Sequence, residues 1–113
     1  MGLMGNKGYT PSYVLMQIEN CISAAETASQ SKVVVDKLYE ATKFISQLEE
    51  MEKKGVYKSK PSSKEYAKAF VNKKDKILMD GIKRAYAAGE TKEEILKNRK
   101  FYSDELIAFI ENL

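Results

Sequence analysis

Two stretches of the chain share one spacing of apolar residues, and this repeat constrains the fold more than any other feature. In both sets the intervals are four, three, four and three, which places each set on one face of an α-helix. The first set is Val14, Ile18, Cys21, Ala25 and Ala28, and the second is Val34, Leu38, Ala41, Ile45 and Leu48. Only a short polar turn, Ser29 to Ser31, separates them. The spacing therefore predicts an antiparallel αα-hairpin over residues 10–55.

Capping residues mark the ends of this hairpin and the start of the next helix. Thr10 followed by Pro11 is typical of a helix start, and Gly55 after two lysines is typical of a helix end. The segment VYKSKPSSKE then interrupts the helical pattern, because proline cannot continue a helix. Ser62 and Glu65 form a capping-box pattern three residues apart. We therefore expect a basic linker over residues 56–62 and a third helix after it.

The remaining chain predicts a C-terminal portion of three helices over residues 63–113. The third helix carries Tyr66, Phe70, Ile77, Leu78, Ile82 and Ala85 on its apolar face, and the polar stretch VNKKD around Asn72 leaves two alternatives, one continuous helix or two pieces. Thr91 with Glu94 caps a short helix through Leu96, and Ser103 caps a last helix that bears Leu106, Ile107, Ile110 and Leu113. The predicted fold class is all-α, a small helical bundle in one domain over residues 10–113. Residues 1–9, with three glycines, are expected to form a flexible N-terminal tail.

One C-terminal segment also matches the spacing of a DNA-binding motif. Ala85, Gly89 and Ile95 lie where a helix-turn-helix places its small residue, turn glycine and buried aliphatic residue. The segment GETKEEI resembles the turn of resolvase-like domains, and that resemblance implies DNA recognition by the helix that follows. However, residues 103–113 carry three acidic residues and no basic one, so phosphates would repel this helix. We interpret the segment as the closing part of a bundle.

The composition excludes most catalytic chemistry. The chain has no histidine and a single cysteine, Cys21, so the commonest general base, a disulfide and a paired-cysteine metal site are all missing. Cys21 lies among apolar neighbours, which favours an inert buried thiol. The sequence therefore predicts a non-enzymatic protein without catalytic residues, cofactor, metal site or small-molecule substrate. A single cysteine and the absence of a leader-like or membrane-spanning run predict a cytoplasmic protein that does not bind membranes.

Positive charge is concentrated in the centre of the chain. The formal net charge is +3, yet residues 53–76 contain nine lysines and only two acidic residues. Lysines mixed with an aromatic residue can hold a phosphate backbone while the ring stacks on a base. The candidate polyanion-binding residues are Lys58, Lys60, Lys64, Lys68, Lys73, Lys74, Lys76 and Tyr57. The alternative is that these lysines only solvate a linker and a helix face.

Seven tyrosines are more than a core of this size needs, and tyrosine is favoured at protein interfaces. Tyr57 and Tyr102, both in predicted linkers, are therefore candidate partner-surface residues. The leading functional hypothesis is a binding protein that contacts nucleic acid or another polyanion through the Lys-rich segment. The alternative is a protein-interaction module, such as a small inhibitor, immunity factor or accessory subunit. Its partner would be an acidic or nucleic-acid-binding protein whose surface it occupies.

Overall fold

The structure, a computed structural model, describes residues 10–58 and 62–113. These ranges contain five α-helices, one 3-10 turn and no strand: α1 Pro11–Thr27, α2 Ser31–Lys53, α3 Ser63–Ala87, α4 Lys92–Leu96, the 3-10 turn Arg99–Phe101, and α5 Asp104–Glu111. The predicted all-α fold class is confirmed. The predicted tail, residues 1–9, lies outside the described residues, as do residues 59–61 of the predicted linker.

Side chains cap four of the helices as the sequence predicts. Thr10, Ser62, Thr91 and Ser103 each accept a hydrogen bond from a backbone N–H in the first turn of the following helix. These bonds satisfy donors that have no partner within a helix. At the end of α2, Gly55 has a φ of +78°, a conformation that suits glycine. The capping residues that the sequence indicated therefore do mark the ends of the helices in the structure.

The third helix is not split at the polar stretch around Asn72, and α3 runs without interruption from Ser63 to Ala87. Phe70 and Ile77 lie on either side of the polar stretch, seven residues and therefore about two helical turns apart. Both side chains are buried. A continuous helix keeps the two residues on one face against the α1–α2 hairpin, whereas a break would separate them. The burial of Phe70 and Ile77 thus keeps the helix continuous through the polar stretch between them.

The core lies between α1, α2 and α3 in an elongated bundle of about 48 × 25 × 20 Å. Both apolar sets of the hairpin are buried, except that Ala28 at the end of α1 is half-buried. Helix α3 approaches α2 closely at Gly81, where an added Cβ atom would lie 2.7 Å from Cγ2 of Val34. Only a residue without a side chain permits this approach, so Gly81 sets the distance between the two helices.

The C-terminal end of α3 supplies caps for the turn of the hairpin. The Arg84 guanidinium donates two hydrogen bonds of 3.0 Å to the carbonyl oxygens of Ala25 and Ala28, at the end of α1. Beyond α3, the Glu90 carboxylate accepts a 3.2 Å bond from the N–H of Ser31, the first residue of α2. A cation at a helix C-terminus and an anion at an N-terminus both complement the helix dipoles. The α1–α2 turn is therefore held from outside the hairpin.

Tyr57 lies in the core, which corrects its assignment as an exposed linker residue. After α2, Val56 N–H bonds to Met51 O at 2.8 Å and Gly55 N–H bonds to Glu52 O at 3.1 Å, the two bonds of a Schellman motif. This motif reverses the chain, so the residue after it returns to the end of the bundle. The Tyr57 side chain is 3% exposed, and burial raises the pKa of its phenol.

Tyr102 is also buried, at 8% exposed, so it does not offer a free partner surface either. Its hydroxyl donates a 2.9 Å hydrogen bond to the carbonyl oxygen of Ile95 in α4. The bond satisfies the polar end of the ring while its apolar body packs in the core. The 3-10 turn positions Tyr102 there, and α5 follows with Leu106 and Ile110 buried. Tyr102 therefore joins the C-terminal helices to one another.

Candidate functional site

The lysines of the predicted polyanion-binding segment do not form one continuous surface. Five of them are exposed, Lys74 is half-buried, and Lys60 lies outside the described residues; the exposed ones are Lys58, Lys64, Lys68, Lys73 and Lys76. Each residue of a helix turns by about 100°, so neighbouring lysines on α3 point in different directions. Their role in polyanion binding stays a prediction.

Two of these lysines lie in a groove between α1 and α3 that also holds acidic residues. Lys73 and Lys76 line it together with Glu26 of α1, and with Asp80 and Arg84 of α3. Acidic and basic groups side by side reduce the positive potential that a phosphate chain would meet. This groove therefore attracts a polyanion less than the sequence count of lysines suggests.

The lysines of α3 are nevertheless free of ion pairs. In the described part of the chain, the salt bridges join Lys32 with Asp36, Lys37 with Glu40 and Lys53 with Glu50. None of them uses a lysine from residues 58–76. On the outer face of α3, Lys64 and Lys68 are one helical turn apart and exposed. Their charge is available to a partner.

Base stacking by Tyr57 is excluded by its position in the core. An aromatic ring stacks on a base only when one of its faces is open. The 3% exposure of Tyr57 leaves no such face, and Tyr102 is buried as well. The predictions for Tyr57 and Tyr102 are therefore both corrected. The lysines of residues 53–76 do not have the accessible Tyr57 ring that the sequence analysis placed beside them.

A different site lies on another side of α3, at Lys74. Here α2, α3 and the 3-10 turn enclose an apolar cleft of about 230 Å³. We call it the Tyr39 cleft, and its lining residues are Val35, Leu38, Tyr39, Thr42, Lys74, Leu78 and Phe101. None of these residues is acidic. The site is thus an apolar cleft with one basic residue in its wall.

Two partly exposed rings form the rim of the Tyr39 cleft. Tyr39 is 51% exposed and Phe101 is 40% exposed, although both are large apolar side chains. Their ring centroids are 6.0 Å apart and the rings meet edge to face at 63°. This geometry is the favourable one for an aromatic pair. The pair therefore holds both rings in place at the mouth of the cleft.

Two further lysines lie against these rings. The Lys43 ammonium is 4.8 Å from the centroid of Tyr39, and the Lys100 ammonium is 5.5 Å from the centroid of Phe101. Both distances are within the range of a cation–π interaction. With Lys74 in the wall of the cleft, three lysines therefore lie in or next to this aromatic site. This combination of aromatic surface and unpaired positive charge is suited to binding an acidic group that also carries an apolar one.

The sequence analysis missed this site because its residues come from distant parts of the chain. Tyr39 and Lys43 are four residues apart on α2, a spacing that places them on one helix face. Lys100 and Phe101 lie in the segment KNRKFYS between the predicted helices. A basic aromatic segment was visible there, but only the 3-10 turn brings it to the side of α2.

The cysteine and the acidic residues do not form a second site. Cys21 is 4% exposed, and its thiol lies 3.9 Å from the Glu40 carboxylate. Burial, followed by the negative charge of Glu40, raises the pKa of the thiol, which fits an inert group. No cluster of three or more cysteine and acidic side chains in the described ranges is arranged to hold a metal ion.

Neither the helices nor the comparisons with known proteins connect the chain to a known activity. No helix in residues 10–58 and 62–113 combines the length and the apolar character needed to cross a bilayer. The chain matches no protein-family model, no curated protein and no solved structure. The interpretation of the Tyr39 cleft therefore rests on its own chemistry.

Proposed function

We propose that this chain is a non-enzymatic protein-interaction module that binds an acidic surface of a partner protein through the Tyr39 cleft. The observation that carries the proposal is the half-exposed Tyr39–Phe101 pair at an apolar cleft, with Lys43 and Lys100 against the two rings and Lys74 in the cleft wall. Of the two hypotheses from the sequence, this is the alternative one. The predicted cytoplasmic location, where thiols stay reduced, belongs to the same proposal.

The residue types of the cleft support protein binding on energetic grounds. Aromatic residues are enriched among the few interface positions that dominate binding free energy, since they bury a large area with little loss of side-chain entropy. Exposed lysines add little net affinity, but they steer an acidic partner and disfavour a basic one. The aromatic pair would thus supply most of the binding energy, and the lysines would supply selectivity.

Contact with nucleic acid remains a second candidate, favoured by the lysines of α3 that form no ion pair. Because lysine is a point charge without a planar fork, such binding would be indifferent to base sequence. It would also weaken steeply as salt rises, in proportion to the phosphates neutralised. The burial of Tyr57 makes this hypothesis weaker than it was from the sequence.

Two charge-reversal variants separate the candidates, and each changes the formal charge by the same amount. The first combines Lys43→Glu with Lys100→Glu at the cleft, and the second combines Lys64→Glu with Lys68→Glu on α3. Each protein is immobilised, and captured host proteins and nucleic acids are quantified at low and at high salt. Circular dichroism checks that both variants fold.

We expect the cleft variant to lose at least one specific acidic protein that the wild type and the α3 variant both retain. Chemical cross-linking of that protein to the Tyr39 cleft would then confirm the contact. If every captured protein binds the cleft variant and the wild type equally, the proposal is wrong. Loss of bound nucleic acid from the α3 variant alone would support the second candidate instead.

A further inference from the structure

We infer that the Tyr39 cleft binds a single aromatic side chain of its partner, presented by a segment with acidic residues on both sides of that side chain. This inference rests on the proposed function and specifies its partner. It concerns what enters the opening, whereas the proposed function concerns only where the partner docks. The size, the polarity and the surrounding charges of the cleft each support it.

The size of the cleft suits one aromatic side chain. Sites for drug-sized ligands and cofactors usually occupy about 300 Å³ or more. A cavity of about 150 Å³ is already large enough for a benzene ring. The Tyr39 cleft, at about 230 Å³, lies between these limits. It therefore has room for one aromatic ring.

The polarity of the wall requires that the inserted group be apolar. Val35, Leu38 and Leu78 line the cleft with aliphatic side chains. The hydroxyl of Thr42, which also lines the cleft, already donates a 3.0 Å hydrogen bond to the carbonyl oxygen of Leu38. Apart from Lys74 and Tyr39, the lining offers a polar group few partners that could replace its lost hydration. An aromatic ring would instead extend the existing edge-to-face pair of Tyr39 and Phe101.

The charges around the opening require acidic residues beside the anchor. The ammonium groups of Lys43 and Lys100 lie over the rim rings, and Lys74 lies in the wall. A bound ring excludes water from this region, which strengthens the attraction between these cations and nearby carboxylates. The N-terminal residues 1–9 do not fit this requirement, because they include Lys7 and no acidic residue. The occupant that we propose is a segment of another protein, and the test below distinguishes it from a second copy of this chain.

The probe for this inference is a synthetic peptide with one phenylalanine at the centre of six acidic residues. Two matched peptides carry alanine at the centre, or lysines in place of the acidic residues. Binding to the full chain is followed by NMR through the methyl groups of Val35, Leu38 and Leu78. We expect the phenylalanine peptide to shift these methyl signals and to bind about 10- to 30-fold more tightly than the alanine peptide.

Two variants test whether the ring enters the cleft itself. Tyr39→Ala removes one rim ring, and Thr42→Phe fills the opening from the protein's own helix. Thr42 is exposed and lies within α2, so its replacement leaves the core intact. We expect both variants to reduce the affinity for the phenylalanine peptide to that of the alanine peptide. Thermal unfolding establishes that each variant is folded under the conditions used.

Each remaining outcome has a definite meaning. Equal affinity for the phenylalanine and alanine peptides, both lost in the Lys43→Glu, Lys100→Glu variant, would overturn the aromatic anchor and leave the proposed function standing. Absence of methyl shifts at millimolar peptide would also overturn the anchor. Peptide binding that survives charge reversal at the cleft would contradict the proposed function as well. If light scattering shows a dimer that Tyr39→Ala dissociates, the occupant is a second copy, and the inference is wrong.

Discussion

Replacement of Gly81 by alanine tests the close approach of α2 and α3. In an exposed helix interior this change would stabilise the protein by about 1 kcal/mol, because alanine has the higher helix propensity. Here the new Cβ atom would lie 2.7 Å from Cγ2 and 3.1 Å from Cγ1 of Val34. Val34 is 1% exposed, and its branched side chain has one strongly preferred rotamer in a helix. The valine therefore cannot move aside without disturbing the core.

The expected magnitude follows from these opposing effects. Overpacking of a well-ordered core costs about 1 to 3 kcal/mol, which exceeds the gain in helix propensity. We expect Gly81→Ala to lower the free energy of unfolding by about 1 kcal/mol. In a Val34→Ala background the two methyl groups are gone, and the remaining Cβ of residue 34 lies 3.4 Å away, in ordinary contact. There the same replacement should raise the free energy of unfolding by about 0.5 to 1 kcal/mol.

A double-mutant cycle measured by urea unfolding gives the result directly. The change of sign corresponds to a coupling of about 2 kcal/mol between the two positions, well above what distant sites show. The slope of the unfolding free energy against urea should stay constant across the four proteins, so that they remain comparable. Stabilisation by Gly81→Ala in the wild-type background would show that α2 and α3 are not in close contact here. The same change of free energy in both backgrounds would refute the steric explanation.

Three further predictions address the polar contacts and the buried thiol. Arg84→Ala should lower the unfolding free energy by about 1.5 to 3 kcal/mol in urea, because two carbonyl groups of α1 lose a charged donor, and a loss below about 0.5 kcal/mol would contradict the capping role. Hydrogen bonds from Ser63 lower the pKa of the Glu52 carboxyl below its ordinary value of 4.5. The contribution of these bonds to stability is therefore complete above pH 4.5 and is lost as the pH falls through the lower pKa of the folded state. Glu52→Gln and Ser63→Ala should therefore flatten the fall of stability between about pH 5 and pH 3, measured by denaturation at each pH. Cys21 should react slowly with a thiol reagent in the native protein and quickly in urea, and fast native labelling would show that the thiol is not buried.

The helices could be predicted from the sequence because their determinants are local. The apolar spacing of α1 and α2 depends only on helical geometry, and a side chain such as Thr10 caps the helix that begins beside it. The same holds for Ser62 and Thr91, whose capping boxes involve residues three positions away. Such features form within one or two helical turns. They do not depend on how the rest of the chain packs.

The candidate site could not be predicted, because it depends on contacts between distant residues. Tyr39 and Phe101 come together only when the 3-10 turn packs beside α2, and no local pattern specifies that contact. The same reason explains the errors at Tyr57 and Tyr102. Both lie between predicted helices, where a polar linker is the usual outcome, but the Schellman motif and the bond to Ile95 direct them into the core. Because tyrosine is found both in polar linkers and in cores, the residue type alone did not show which environment applies.

The bond from Ser31 to Glu90 makes one backbone amide a reporter of how the third helix attaches. Ser31 lies at the start of α2, where an N–H has no helical acceptor and ordinarily exchanges with solvent quickly. Its partner is instead the carboxylate beyond α3, so its protection against hydrogen exchange requires that contact. Protection of the amides in the middle of α2 requires only the helix itself. A rate at Ser31 that exceeds theirs would measure how often the end of α3 detaches while the helical hairpin stays folded.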